Sequence, residues 1–389
     1  MSKLDELIQQ LCPDGVEYKA LGEFGTMIRG NGLQKKDFSD TGVGCIHYGQ
    51  IYTYYGAFAY ETKTFVPKEL AVKLKKITTG DLVIAITSEN IEDVCKCVAW
   101  LGNEEIVTGG HSAVFKHNQN PKYLAYCFQT EDFFAQKKKI ANGTKVIEVS
   151  PRKLENIKIP VPPLPIQNEI VRILDNFTEL TAELTAELTA ELTARKKQYE
   201  YYRNQLLTFA EDDKQVRWMN LGNIVENIVA GKNKIKDENG KYPVYGSTGI
   251  IGYTDNCSYN EEMLLVARVG ANAGFVQKVK GEIDVSDNTL IIQFKGEYDI
   301  SFACHQLRNI NLNNLAVGGG QPLITASKLK QINVPVPSRE EQERIASILD
   351  RFDFLCNDIT TGLPAEIEAR RKQYEYYRDK LLTFKELGA

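Results

Sequence analysis

The sequence predicts an α+β protein built twice over, with two β-rich globular domains, each followed by a long helix. Three observations predict this. The chain of 389 residues repeats part of itself. The repeated parts carry hydrophobic residues at helical steps. The parts between them carry short β-type runs divided by Gly, Asn and Asp turns.

The repeat comes first, because it sets the domain count. "RKKQYEYYRNQLLTF" (195–209) returns 175 residues later as "RRKQYEYYRDKLLTF" (370–384), with three of fifteen positions changed. The same offset carries "IPVPPLPIQNEIVRILDNF" (159–177) onto "VPVPSREEQERIASILDRF" (334–352). A weaker match, "VEYKALGEF" (16–24) with "VRWMNLGNI" (216–224), stands at an offset of 200. The first copy is therefore about 25 residues longer between these landmarks. The expected boundaries are a first domain over 1–160 with a short N-terminal helix, a central helix over 161–210, a second domain over 211–336 and a distal helix over 337–389.

Each element has its own signal. "KLDELIQQLCPDG" at the start reads as a short helix and stands before Val16 as "YYRNQLLTF" stands before Val216. It is expected to dock near the distal helix as the tail of a third, truncated copy. "DLVIAI", "SAVFKH", "MLLVARV" and "TLIIQF" read as strands, and "PKYLAYCFQTEDFFAQKKKI" as short helical pieces. In the central helix Ile166, Ile170, Ile173, Phe177, Leu180 and Leu184 step by four and three, a heptad seam. Leu188 and Leu192 add further fours, which are stutters, and Tyr199, Tyr202, Leu206 and Phe209 resume the heptad. Ile345, Ile348, Phe352, Leu355, Ile359, Leu363, Ile367, Tyr374, Tyr377, Leu381 and Phe384 keep matching steps in the distal helix. Two matched seams most simply pack on each other. The Pro-rich leaders act as helix starts, while Gly362 and Pro364 are expected to kink or break the distal helix. The central helix also contains "LTAELTAELTAELTA" (180–194), a tandem repeat of good helix formers. Each four-residue unit adds about 6 Å of helix.

Bulk composition narrows the function. The chain is 43% hydrophobic and 25% charged, ordinary material for two or three domains. No apolar run reaches membrane-span length, and the first residues lack the pattern of a signal peptide. Eight cysteines form no zinc or disulfide framework and read as reduced cytosolic thiols. A net charge of −4 counts against a stand-alone nucleic-acid binder, although a basic face or partner could supply the phosphate contacts.

Catalytic motifs are missing. Asp14 and Glu17 in "PDGVEYK" stand too close for a nuclease core on adjacent strands. There is no phosphate loop, "GANAG" lacks the context of a dinucleotide site, and His47, His111, His117 and His305 do not pair at metal-ligand spacing. What stands out is polar and aromatic loop chemistry. In the first domain the candidates for DNA contact are Tyr48, Gln50, Tyr52, Tyr54, Ser88, Asn90, His111 and Lys145. In the second they are Lys232, Asn233, Tyr245, Ser247, Thr248, Arg268, Asn272, Asp287 and Asn288. Asn and Gln amides match adenine edges, Arg and Lys match guanine, and Tyr hydroxyls bond phosphate. Ile170, Ile173, Phe177, Leu184, Leu188, Leu192, Tyr199, Tyr202, Tyr374 and Tyr377 are the candidates for helix packing and partner docking.

Two unlike domains, each followed by a near-identical helix, together with the TAEL repeats and the paired "RKKQYEYYR" and "RRKQYEYYR" runs, resemble the specificity subunit of type I restriction–modification systems. "YPVYGSTGIIGY…LLVARVGANAGFV…DNTLII" is similar to one form of that family's target recognition domain. The resemblance implies a non-catalytic chain. Its two recognition domains would read the unlike halves of a split DNA target. Its two long helices would lie antiparallel with pseudo-two-fold symmetry. The implied partners are double-stranded DNA, two modification subunits forming an adenine-N6 methyltransferase, and restriction/translocase subunits. S-adenosylmethionine, ATP and Mg would sit on those partners, with no cofactor in this chain. A cytoplasmic location is implied, without membrane association. The TAEL array would then set the spacer between half-sites, about one to two base pairs per unit. Two alternatives are a recognition subunit for a methyltransferase without a motor, and a coiled-coil scaffold with two ligand-binding heads.

Overall fold

Backbone hydrogen bonding repeats much as the sequence does. The computed structural model describes residues 2–210, 212–234, 239–317, 322–357 and 362–388. It divides into two compact units, 1–185 with 369–389, and 186–368.

Unit 1 runs α1 (Lys3–Leu11), β1 (Tyr18–Ala20), α2 (Leu21–Phe24), β2 (Gly25–Arg29), β3 (Val43–Ile46), α3 (Tyr48–Thr53), β4 (Phe58–Ala59), β5 (Thr64–Val66), α4 (Lys68–Ala71), β6 (Lys75–Ile77), β7 (Leu82–Ala85), β8 (Thr87–Ser88), β9 (Cys97–Trp100), β10 (Ile106–Thr108), β11 (Ser112–His117), α5 (Pro121–Cys127), α6 (Glu131–Ile140), β12 (Ile147–Glu148), α7 (Pro151–Leu154) and β13 (Lys158–Pro160). Then α8 (Leu164–Leu206) begins and continues into unit 2. Unit 2 has β14 (Arg217–Asn220), α9 (Leu221–Ile224), β15 (Val225–Ala230), β16 (Tyr242–Gly246), β17 (Gly249–Thr254), β18 (Tyr259–Asn260), β19 (Met263–Ala267), β20 (Val276–Val279), β21 (Glu282–Val285), β22 (Thr289–Phe294), α10 (Ile300–Ile310), α11 (Ala326–Lys330), β23 (Asn333–Val336) and α12 (Arg339–Asn357). The last helix is α13 (Leu363–Leu381).

Three sheets recur in the same order. An antiparallel pair, β1–β13, matches β14–β23. The order β2-β11-β7-β9 matches β15-β22-β19-β20, with β4 added at one edge in unit 1. The order β5-β3-β10-β6 matches β17-β16-β21-β18, and its central pair is parallel in both units. Buried strands such as "LVIA" and "MLLVA" face apolar neighbours on both sides, which explains their unbroken hydrophobic text. Among the described residues α3 and α4 have no helical counterpart in unit 2, and a short 3-10 turn, Leu312–Leu315, follows α10 where α6 follows α5.

A buried glutamine joins each helix start to its domain. Gln167 Oε1 accepts from Asn120 N–H (3.0 Å), and its Nε2 donates to Pro162 O (2.7 Å). Gln342, 175 residues later, accepts from Asp299 N–H (2.8 Å) and donates to Pro337 O (3.0 Å). Asn120 and Asp299 are the N-caps of α5 and α10. Tyr123 and Tyr298 hydroxyls donate to Pro160 O and Pro335 O, so the Pro-rich leaders are held from both sides.

The long helices pack antiparallel within each unit. In unit 1 Phe177 of α8 lies 6.1 Å from the Tyr377 ring of α13, and Thr178 Oγ1 lies 3.0 Å from Tyr374 Oη. In unit 2 the repeat inverts the partners: Phe352 of α12 stacks on Tyr202 of α8 at 5.7 Å. The distal helix expected over 337–389 is broken near Gly362 and Pro364, as those residues led one to expect, into α12 and α13. Pro364 falls in the first turn of α13, where a missing N–H costs nothing. Ile359, an expected seam residue, lies outside the described residues. The N-terminal helix docks as expected: Leu4 is buried with Leu382. Val16 N–H donates to Lys385 O (2.8 Å), and Leu387 N–H donates to Val16 O (3.0 Å).

All eight cysteines are free. No described helix is long and apolar enough to cross a membrane, and no described group of His, Cys, Asp and Glu could hold a metal.

Candidate nucleic-acid interface

The two units carry equivalent turns with unequal side chains. In unit 1 the turn joins β10 to β11 and is closed by Ser112 N–H to Gly109 O (3.0 Å). In unit 2 it joins β21 to β22 and is closed by Thr289 N–H to Ser286 O (3.1 Å). Each turn is anchored from its neighbours in the same way. Ile86 N–H donates to His111 O and Gly30 N–H to Ser112 O; Arg268 N–H donates to Asn288 O and Gly231 N–H to Thr289 O. Gly30 and Gly231 are required there. A Cβ would stand 2.1 Å from Gly109 O at the first and 2.4 Å from Ser286 O at the second.

The unit 1 turn presents His111, which is exposed. Its ring lies 4.9 Å from Tyr48, and its Nδ1 lies 3.0 Å from Thr87 Oγ1. Tyr52 donates its hydroxyl to Thr87 O, and Ser88 is buried beside it. Burial raises the Tyr52 hydroxyl well above the ordinary tyrosine range. Tyr48, Tyr52, Ser88 and His111 are thus brought together. Lys145 is exposed in the hairpin that leads into β12, the strand paired with β8. Gln50 and Asn90 are spent locally. Gln50 Oε1 accepts from His47 N–H and its Nε2 donates to Thr64 Oγ1 (3.0 Å each). Asn90 bonds Asp93 through both ends of its amide. Tyr54 is exposed and packs on Tyr55 and Lys63.

His47, which stands with Tyr48, Gln50, Tyr52 and Tyr54 in "GCIHYGQIYTYYG", belongs to this group. It is 5% exposed and packs between Phe38 (5.6 Å) and Tyr48 (4.4 Å). Burial, with the nearby Lys35 and His111, lowers it to about 4, so the ring is neutral at neutral pH. Sequence reading missed Arg29, which reaches Gly110 O (3.4 Å) and pairs with Glu148 (2.9 Å). It stands in no motif; only sheet pairing brings it here.

The unit 2 turn gathers more of the expected residues. Asn288 is exposed at its tip, and its carbonyl accepts from Ser247 Oγ (3.5 Å) as well as from Arg268 N–H (2.9 Å). Asp287 N–H donates to Asn233 O, and Ser286 N–H to Tyr245 O. Asn233 spends its amide on Asp284 Oδ2 (2.6 Å), whereas Lys232 is exposed next to it. Thr248 sits at the β16–β17 hairpin. The Arg268 guanidinium has no hydrogen bond or ion pair among the described residues, and Asn272 is exposed in the following loop. Arg268, Asn272, Asn288 and Lys232 leave polar groups free toward solvent, as base or phosphate contacts require.

The expected docking residues divide by depth. Ile170 is buried and Ile173 half-buried in the unit 1 core. Leu184, Leu188, Leu192, Tyr199 and Tyr374 are half-buried. Phe177, Tyr202 and Tyr377 are exposed at 38%, 37% and 42% despite their ring contacts.

Comparison with known proteins agrees with this arrangement. The family model for the type I restriction modification DNA specificity domain matches residues 13–194 and again 214–369. The chain is 37% identical over 303 residues to the EcoprrI type I specificity subunit of Escherichia coli, covering 75% of each chain. It is 39% identical over 267 residues to the EcoR124I/EcoR124II specificity subunit of Escherichia coli, covering 58% of this chain and 63% of that one. In fold it resembles a chain solved to explain complex assembly and conformational transition of the type I R-M system, with a TM-score of 0.69 at 17% identity over 96% of this chain and 98% of that one. The two-fold family match, on two units with the same sheet order, makes this chain a member of the type I restriction–modification specificity-subunit family.

Proposed function

We propose that the chain is the DNA-reading subunit of a type I restriction–modification enzyme, and that each unit reads one half of an asymmetric split target. One observation carries this reading: the same turn on the same scaffold presents His111 with Tyr48 in unit 1 and Asn288 with Ser247 in unit 2. Equal scaffolds place the two faces alike on DNA, and unequal side chains read unlike bases. The half-exposed aromatic groups of the long helices supply docking surface for two modification subunits. S-adenosylmethionine, ATP and Mg belong to those subunits and to the restriction subunits, and the assembly acts in the cytoplasm on double-stranded DNA. The chain itself positions and does not catalyse.

The test is a genome-wide map of N6-methyladenine in cells expressing the chain with its modification subunit, against cells lacking the chain. The expected result is a chain-dependent motif with two unlike halves. Substituting His111 and Tyr48 by Ala should then relax one half only, and substituting Arg268 and Asn288 the other half only, by about 1–3 kcal/mol per lost base contact. Absence of any chain-dependent motif, with an active partner present, overturns the reading. Methylation without restriction in the same cells identifies a partner set that lacks the motor.

A further inference from the structure

Unit 1 contains a cavity of about 330 Å³ that the recognition surface does not explain. It lies among α3, the β8–β9 connection, the α5–α6 junction, α6 and α13. Three cationic side chains from three elements line it: Lys96, Lys137 and Arg378. Lys137 is 4% exposed, and its ammonium donates only to the carbonyls of Val94 (2.7 Å) and Glu92 (3.0 Å). Among the described residues no carboxylate forms an ion pair with it; desolvation lowers its pKa, outweighing Glu92 and Asp93, which act on it from longer range. Arg378 is 7% exposed, and its one acidic partner is its neighbour Asp379 (2.7 Å). Lys96 pairs with Asp93 (2.5 Å). The other walls include the aromatic rings of Tyr55, Phe128 and Phe134, together with the polar side chains of Gln129 and Thr130 and one carboxylate, Glu92.

Three points set this cavity apart from packing. A buried ammonium held by carbonyls alone, with its carboxylates only at longer range, is costly, so an anion that reaches it is favoured. Aromatic walls beside cations fit a planar ring that carries an anionic group, and the volume is that of a small-molecule site. The wall from α3 has no helical counterpart among the described residues of unit 2, so the duplicated scaffold does not demand the cavity.

We propose that this cavity binds a small anion bearing a planar ring. A nucleoside monophosphate and an aromatic carboxylate share that chemistry. Tyr52 lines the cavity and also donates to Thr87 O beneath His111, so an occupant touches the residue that supports the unit 1 turn.

Titration calorimetry of the full chain against AMP, benzoate and inorganic phosphate tests this. Saturable one-site binding of AMP or benzoate is expected, with phosphate at least about 10-fold weaker, and whichever ring anion binds identifies the source. Lys96→Gln and Arg378→Gln should each weaken that binding about 10-fold or more. Lys96 is exposed, so K96Q retains the fold, and its unchanged melting temperature separates lost binding from lost structure. The proposal is overturned by no saturable binding of either ring anion up to about 5 mM, by phosphate binding as well as they do, or by both variants binding like the parent chain.

Discussion

At the scale of single residues, the two buried glutamines are the sharpest case. Gln167 and Gln342, both buried, each satisfy a part-buried helix N-cap amide and a buried proline carbonyl. Gln167→Ala or Gln342→Ala should cost about 1–3 kcal/mol, because the proline carbonyl is left buried and unpaired and the N-cap amide loses its acceptor; urea unfolding checks it. A second expectation concerns His47. Its folded value of about 4 lies below the unfolded 6.5, so the unfolded chain binds the extra proton between them. The stability this residue contributes is present above pH 6.5 and is lost as pH falls toward 4, by about 2 kcal/mol at pH 5. Unfolding free energies of the parent chain and His47→Gln should therefore converge as pH falls from 7 to 5. Residue roles were the least legible part of the sequence. The polar letters at Gln50, Asn90 and Asn233 read the same whether they face solvent or neighbours. Only the folded backbone reveals that Thr64, Asp93 and Asp284 occupy them. Gln167 and Gln342 were visible only as a shared letter in the repeat.

At the scale of elements, the long helix α8 and the strands around "LVIA" and "MLLVA" were plain, because period and burial agree there. The split between α12 and α13 was legible from Gly362 and Pro364, but whether a proline kinks a helix or starts one depends on the turn it lands in. The TAEL stretch behaves as a seam of modest depth: no side chain of α8 is fully buried between Leu174 and Leu206. Such a segment tolerates a change of length better than a core segment does. Deleting Thr185 to Leu188 should shorten α8 by about 6 Å, and the methylated motif should lose one to two base pairs of spacer with both halves unchanged. A change in the half-site letters in the methylation map would sink the ruler idea.

At the scale of the whole molecule, duplication was legible and the matching of sheets was not, because only a weak "VEYKALGEF" echo survives between the domains. The stretches "GCIHYGQIYTYYG" and "YPVYGSTGIIGY" stand at like places in the two domains, but nothing in their text reveals that β3 and β16 each lie beside a parallel partner. The pairing of Val16 with Lys385 and Leu387 has a consequence for how the chain is made. Unit 2 is one continuous run of residues, 186–368, whereas unit 1 needs 369–389 to complete itself, Leu382 included. During synthesis from the N-terminus the later unit can therefore close first, and the earlier one must wait for the last helix to leave the ribosome. Nascent chains stalled with residue 368 just exposed should show a protease-resistant unit 2 and a cleavable unit 1. Protection of the first 160 residues should appear only when the final segment is released, so the half of the protein written first is the half finished last.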